Sequence, residues 1–569
     1  MGYINLKKYL KIDFYKLAAT AIIVFASGLR VLLTALNWPP TNSDEGTMAI
    51  MALNIAYHGE RPYMYYGQDY MGVIEAYLGA GFFHLFGAPS LFALRLGVIL
   101  LVTLFFISTY LLSAKIFSRP LALLTLVVLS VGSIPLLTRQ MIATGGSSQT
   151  LLFGSLVFLI ATWLASSYRR NSLLRIKLWR LAVYALFGLV VGLAMWSDMI
   201  VLPYLVMACL LLLLCWRELL WAWIPALLGA FIGLQPSLRF NAARGLNPLE
   251  TLLKLAHGSN AVAPTTLSGI LHNIQSTILI SIPTATGFPF CPVTEMTFLG
   301  DNSAHSLQCT LAHASWGGSY LLLALSALAF ALFLLARLRF REKAAIDEFE
   351  YRQLLVRRAA QVLLTGAAVL TLFVYMFSSG PVDQPSFHAR YLVGLLIATP
   401  ALLAPLWNAA RQLDLQTVWS RSLAYAGRTL LAAAWLILLI GTIIAFTEVP
   451  AAQVANQQRL SFIIDLEHAG IHHIYTEYWT CNNLAFASDE RVICGVIDAN
   501  LQSTHNRAPR YYDSVRADPL ASYACPINIE NTTPNYNCLP ALERMVARAP
   551  VGSYQRYVFG NYVVYQPLK

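Results

Sequence analysis

Runs of about twenty apolar residues recur along this chain, and each is long enough to cross a bilayer as a helix. Eleven are placed at Leu17 to Leu36, Leu91 to Ala114, Leu121 to Leu137, Ser147 to Ser166, Leu181 to Ser197, Met199 to Trp216, Trp221 to Leu238, Ser319 to Leu335, Ala359 to Phe377, Tyr391 to Trp407 and Ala424 to Phe446. The chain is 57% apolar and only 12% charged, too little polar surface for a water-soluble fold. The fold class is therefore a polytopic α-helical membrane protein. No small-residue cleavage site follows the first run, which predicts an uncleaved first span behind Lys7, Lys8, Lys11 and Lys16.

Charge sets the direction. With the N-terminus inside, the inner segments hold 22 Lys and Arg, counting Arg428 near the start of the last run. The outer loops hold 7, counting Arg95. Lysine and arginine favour the inner side, so this asymmetry supports the number of spans and their orientation together. It also accounts for most of the net charge of +11, which leaves little basis for a nucleic-acid partner.

An odd number of spans puts the tail from Thr447 to Lys569 outside, as a domain beyond a transmembrane part covering 1–446. The tail has no long apolar run. "QQRLSFIIDLEHAG" predicts a helix with a glycine stop, "IHHIYTEYW" and "RVICGVID" predict strands, and "YQRYVFGNYVVYQP" predicts a hairpin turning at Gly560-Asn561. A small extracytoplasmic α/β domain follows. Two outer loops are substantial, 37–90 and 239–318, the second with an amphipathic piece, "NPLETLLKLAHG". The inner loop "RLRFREKAAIDEFEYRQLLVRR" predicts a charged, solvated helix. Six of eight cysteines fall in outer regions as near neighbours: Cys291 and Cys309, Cys481 and Cys494, Cys525 and Cys538. That grouping suits local disulfides in an oxidising compartment, and sequential pairing is the simplest choice. No CxxC spacing supports zinc instead.

The first outer loop carries four acids: Asp44, Glu45, Asp69 and Glu75. Ser43 precedes the first two, and Met48, Met51, Ala52 and Ile55 follow at helical spacing. This predicts an N-capped amphipathic helix on the membrane surface, with Asp44 at its positive end. A second surface helix is expected from Asp69 to Phe86. Helix capping alone would explain Asp44 and Asp69. Glu75 on an apolar helix needs a partner, and Arg61 or Arg95 are candidates. Asp198, in a short outer turn, either faces the same cavity or caps a helix. Arg30, inside the first run, is expected to face the bundle interior for a lipid phosphate or a buried pair. His468, His472 and His473 suit a solvated face better than a metal site, because no further ligand completes a set. Asn531-Thr532-Thr533 is a glycosylation sequon.

An Asp-Glu pair just after the first span, followed by two surface helices, resembles the GT-C glycosyltransferases, which include the protein O-mannosyltransferases and the aminoarabinose transferase of lipid A. The stretch "YYGQDYMGVIEAYLGAGFFHLFGAPSLFALRLG" is similar to bacterial members. "GLAMWSDMIVLPY", "PSLRFN", "HARYLVG" and, more weakly, "YTEYWTCNNLAFAS" extend the resemblance over most of the chain. It implies inverting transfer of a hexosyl or pentosyl group from a polyprenyl-phosphate donor to a hydroxyl of a protein, lipid or glycan, on the outer face of a bacterial plasma membrane. Asp44 matches the acidic position of the family and would be the base, with Glu45 its catalytic neighbour. Some members use a divalent metal and others do not. The leaving lipid phosphate needs cationic stabilisation. Arg390, beside His388 and Tyr391, is the first candidate and Arg239 the second, with Asp69 and Glu75 as further substrate-binding candidates. A flippase of lipid-linked sugars is the alternative, but it favours ionisable groups at mid-membrane and inverted repeats, whereas these acids cluster in outer loops. A non-catalytic envelope scaffold is the third possibility.

Overall fold

The computed structural model describes residues 13–169, 173–245, 266–291, 306–342, 347–411, 417–527 and 537–568. The amphipathic piece at 247–258 and the sequon at 531–533 lie outside them. Among the described residues, nine helical runs are long and apolar enough to cross a membrane. The ten N-terminal helices are α1 (Phe14–Ala35), α2 (Ser43–Tyr57), α3 (Ile74–Phe86), α4 (Leu91–Ile116), α5 (Arg119–Ser130), α6 (Ile134–Arg139), α7 (Ser147–Ser167), α8 (Leu174–Ser197), α9 (Leu202–Leu212) and α10 (Trp216–Arg244). Each expected apolar run is helical over most of its length. The count drops from eleven for two reasons. Met199–Arg244 merges two expected spans into one helical run through a tight turn at Leu213–Cys215. The run expected from Leu121 to Leu137 breaks into α5 and α6, neither of which is long enough to be counted.

That break lies in the packed interior, where bared backbone groups need partners. Arg30 supplies them. Its guanidinium donates to Leu129 O at 3.3 Å and Ser130 O at 3.2 Å, the last carbonyls of α5. It also donates to Gln140 Oε1 at 2.9 Å and Ala26 O at 2.7 Å, and it sits 5.0 Å from the Phe106 ring centre. Thr442 Oγ1 accepts from Gly132 N at 2.9 Å. Arg30 is thus fully buried, as expected, and bound by protein groups.

Helices α8 and α10 run parallel and touch backbone to backbone. Gly188 and Gly192 face Gly229 and Gly233, each pair spaced four apart. A Cβ on Gly188 would lie 1.8 Å from Ala226 O, and one on Gly229 would lie 2.0 Å from Ala185 O. Small residues at this spacing let membrane helices approach closely. At one end Arg180 and Tyr184 of α8 bind Glu218 of α10 (Arg180 Nε 2.6 Å, Tyr184 OH 2.9 Å).

The described parts of the loop expected at 239–318 are mostly helical. The segment Leu267–Thr286 is helical with a π-helical turn at Thr277–Ser281. It packs against the Leu307–Arg337 helix, where a Cβ on Gly317 would meet Ile278 O at 1.9 Å.

The Val418–Thr447 helix passes through Glu448 into Val449–His468, so the domain boundary expected near Phe446 falls inside one helical run. Beyond it lies a five-stranded sheet in the order β2-β1-β3-β5-β4. β1 (His473–Thr476), β2 (Ile493–Val496) and β3 (Ser522–Pro526) are parallel, and β5 (Tyr562–Pro567) runs antiparallel to β3 and to β4 (Tyr554–Phe559). The β4–β5 hairpin turns at Gly560-Asn561, with Gly560 at φ 54°. The strand expected over 471–479 is shorter, because Glu477 caps a helix, Tyr478–Ala487, by accepting from Trp479 N. The cysteines pair as Cys291–Cys309, Cys481–Cys494 and Cys525–Cys538.

The first loop departs most from expectation. α2 is not a surface helix. It is buried without interruption from Glu45 to Asn54, wedged between α3 and the Tyr478–Ala487 helix of the C-terminal domain. A Cβ on Gly46 would come within 2.4 Å of Asn483 N, so the two backbones are in direct contact. The cap is Asn42, whose Oδ1 accepts from Glu45 N at 2.9 Å, and Ser43 instead accepts from Asn482 N at 3.3 Å. The second helix begins at Ile74 rather than Asp69.

Candidate active site

Asp44 and Glu45 are consecutive residues in the first turn of α2. Free N–H groups and the helix dipole favour carboxylates there. Consecutive helical side chains diverge by about 100°, and the two acids go separate ways.

Glu45 points inward and has no exposure. It takes a two-pronged hydrogen bond from Arg95, at 2.8 Å to Oε1 and 2.6 Å to Oε2. Oε1 also accepts from Ala143 N at 3.1 Å. Arg95 therefore pairs with Glu45 and not with Glu75. Glu75 accepts from Gly145 N at 2.9 Å and Ser148 Oγ at 2.6 Å. Burial pushes its carboxyl up to about 7. The two buried acids thus hold the 143–148 loop by its backbone. Gly145 and Gly146 have φ of 81° and 78°, which only glycine adopts cheaply. Behind them sits Asp198, which caps Ile200 N at 3.0 Å and which burial raises to about 6.

Asp44 points the other way, into an open cavity lined by Asp44, Asn42, Thr138, Arg139, Thr144, Gly145, Ser147, Ile142, Phe387 and Arg390. Arg390 belongs to a 3₁₀ stretch, Ala389–Ala398. Its guanidinium carbon lies 4.2 Å from the Phe387 ring centre and 5.1 Å from that of Tyr391, and its Nη2 donates to Tyr391 OH at 3.2 Å. His388 stacks on Tyr391 at 5.5 Å. Arg139, the last residue of α6, donates to Ser386 O and Phe387 O, both at 3.1 Å. Burial, then the like charge of Arg390, pulls its guanidinium below its ordinary value. Asn42 Nδ2, Thr138 Oγ1 and Arg139 Nε, all on lining residues, are buried without a hydrogen-bond partner. Two guanidiniums and unpartnered donors in one cavity suit an anion. Among the described residues, one carboxylate opposite two arginines does not suit a divalent cation, because Glu45 and Glu75 are taken up behind the wall.

The cavity brings Asp44 and Arg390 together and leaves out the other candidates. Asp69 pairs with Arg244 at 2.8 Å, and Arg239 reaches Tyr63 OH at 3.4 Å. Three residues that sequence reasoning passed over stand at the site: Arg139, Tyr478 and Arg507. Tyr478 OH donates to Asp44 Oδ1, and Arg507 Nη2 lies 3.7 Å from the same oxygen. Arg507 Nε donates to Tyr478 OH at 3.0 Å, and Tyr65 OH donates to Asp44 O at 2.8 Å. Burial, then Asp44, holds the Tyr478 phenol well above its usual range. Burial opposes the Arg507 charge, but Tyr478, Tyr65 and Asp44 outweigh it and keep the guanidinium above its ordinary value.

A bundle of apolar helices, an acidic first loop packed against a C-terminal sheet domain, and a cavity between that loop and the bundle make up a GT-C-like fold. The chain is similar to ArnT from Cupriavidus metallidurans bound to undecaprenyl phosphate, with a TM-score of 0.54 and 12% identity over 96% of this chain and 98% of that one. The same protein in the apo state gives 0.50 and 13%, over 97% and 98%. The oligosaccharyltransferase of Archaeoglobus fulgidus, tethered to an acceptor peptide, gives 0.50 and 12%, over 99% of this chain and 75% of that one. No protein-family model matches the sequence, and no curated protein matches it either.

Proposed function

We propose that this protein is an inverting glycosyltransferase that moves a sugar from a polyprenyl-phosphate donor to an acceptor hydroxyl. The observation that carries this is the shared cavity, with Asp44 on one wall and Arg390 and Arg139 on another. Asp44 takes the proton from the acceptor hydroxyl as its oxygen attacks the anomeric carbon. The bond from that carbon to the phosphate oxygen breaks on the opposite face, so the configuration inverts. Polyprenyl phosphate leaves as a stable anion and needs no general acid. Arg390 and Arg139 stabilise the charge that develops on it. The lipid phosphate bound by the structurally similar ArnT fits an anion subsite of this kind. Lysine and arginine asymmetry supports an outer-face position for the cavity and the sheet domain. Glu45 and Glu75 act as anchors for the cavity wall, and Asp69 and Arg239 stand apart from the chemistry.

The test is sugar transfer in membranes supplied with polyprenyl-phosphate mannose and, in parallel, other polyprenyl-phosphate sugars. Asp44→Asn lowers transfer by about 10²–10⁴-fold, the usual worth of a positioned base. Undiminished transfer by folded Asp44→Asn protein would remove Asp44 as the base.

A further inference from the structure

The C-terminal domain takes hold of Asp44 at the edge of the cavity. Tyr478 is the first residue of the Tyr478–Ala487 helix, and Arg507 stands just ahead of the Pro509–Ala517 helix. Both converge on one oxygen of Asp44, Oδ1. The other oxygen makes no hydrogen bond among the described residues, and the side chain lines the cavity. Arg507 is itself fixed from several sides. It lies 5.3 Å from the Tyr65 ring centre and 5.7 Å from that of Tyr478, and its Nη1 donates to Gly67 O at 3.5 Å. The domain cannot swing away freely. Gly46 is in backbone contact with Asn483, Asn482 Nδ2 donates to Thr47 Oγ1 at 2.9 Å, and Arg510 binds Glu60 at 2.7 Å and Asn54 at 2.7 Å across the same junction.

We propose that Tyr478 and Arg507 are positioning residues for Asp44, so that the C-terminal domain completes the catalytic site rather than covering it. A carboxylate in the first turn of a helix has rotamers to choose from. A phenol and a guanidinium on one oxygen select the rotamer that turns the other oxygen to the cavity, where a base must present it. The charged and titratable groups around Asp44 are Tyr65 on the first loop, Tyr478 and Arg507 on the C-terminal domain, Arg139 at the end of α6 and Arg390 across the cavity. Only Tyr478 and Arg507 bond or pair with its side chain among the described residues. The catalytic consequence rests on Asp44 being the base. The positioning itself does not.

The experiment therefore reads Asp44 directly. The full-length protein in detergent is labelled with a water-soluble carbodiimide and glycine ethyl ester at one fixed pH, and the peptide carrying Asp44 is quantified by mass spectrometry. The carboxyl oxygen attacks the protonated carbodiimide, so labelling reports how freely the Asp44 side chain is presented. In Arg507→Ala the labelling of Asp44 rises several-fold, because Oδ1 is uncovered and the rotamer is released. Arg507→Lys restores most of the wild-type protection. Tyr478→Phe, which keeps the ring, raises the labelling by less, and it carries the test if Arg507→Ala unfolds. Enclosed Glu45 stays unlabelled in every folded variant and reports on packing. Asp44 labelling unchanged in both Arg507→Ala and Tyr478→Phe overturns the proposal. Raised labelling with no sugar transfer by the wild type leaves the positioning intact and sinks the glycosyltransferase function alone.

Discussion

Two adjacent acids share one helical turn, and their surroundings give them opposite roles. Glu45 has both oxygens bonded and no exposure, whereas Asp44 lines the cavity. Removing one partner of a buried ion pair costs about 3–5 kcal/mol, so Glu45→Ala lowers the thermal midpoint sharply and Arg95→Ala does the same. A thermal shift assay in detergent checks both. Arg390→Ala leaves the fold intact and lowers transfer by about 10²–10³-fold, the scale for losing one donor to a developing anion. Glu75 gives a pH signature. Its carboxyl is raised from 4.5 to about 7 by burial. A raised value favours the folded state while the group is protonated, so the associated stability is complete below 4.5 and lost as pH rises through 7. Asp198, raised to about 6, acts in the same direction. The protein is therefore more heat-stable at pH 5 than at pH 8, and Glu75→Gln flattens that difference. A wild-type midpoint that rises from pH 5 to pH 8 contradicts this. The sequence pointed to Arg390 because a charge at the mouth of an apolar run stands out, and to Asp44 through the resemblance carried by the Asp-Glu pair. It passed over Arg139, Tyr478 and Arg507 because nothing local distinguishes them. Their importance comes from which distant residues they meet.

At the scale of elements, hydropathy located the helices but not their breaks or their neighbours. The run at 121–137 carries its own warning in Gly132 and Pro135, yet its apolar content hides the split into α5 and α6. Arg30 was legible as an interior residue, but its bonds to the end of α5 were not, because they depend on where that helix stops. The spacing of Met48, Met51, Ala52 and Ile55 was read as one apolar stripe for a membrane surface. The burial of α2 comes instead from α3 on one side and the Tyr478–Ala487 helix on the other, the latter more than four hundred residues away. The Gly188/Gly192 and Gly229/Gly233 pairs make a quantitative prediction. Gly188→Ala places a methyl carbon 1.8 Å from Ala226 O, so α8 and α10 must part. The expected cost is about 1–3 kcal/mol, typical of overpacking, and it appears as a lower unfolding midpoint in detergent.

For the whole molecule, the first loop and the C-terminal domain form one packed body that contains Asp44 and Glu45. Their shared core joins α2 and α3 to the Tyr478–Ala487 helix and β1, including a Phe83–Phe486 stack at 6.1 Å. The Cys481–Cys494 bridge ties that helix to β2. Closing a loop of this length is worth about 3 kcal/mol in the chain-entropy account. The double variant Cys481→Ser, Cys494→Ser therefore becomes more sensitive to limited proteolysis in the C-terminal domain, and transfer falls with it. The contact between Tyr478 and Asp44 spans 434 positions of the chain. It also imposes an order on biogenesis. The loop with Asp44 leaves the ribosome early, but the groups that contact its side chain arrive only within the last fifth of the chain. A nascent chain stalled before Arg507 therefore has its apolar runs already made but lacks the groups that hold Asp44, so the proposed transfer waits until the C-terminal domain has folded.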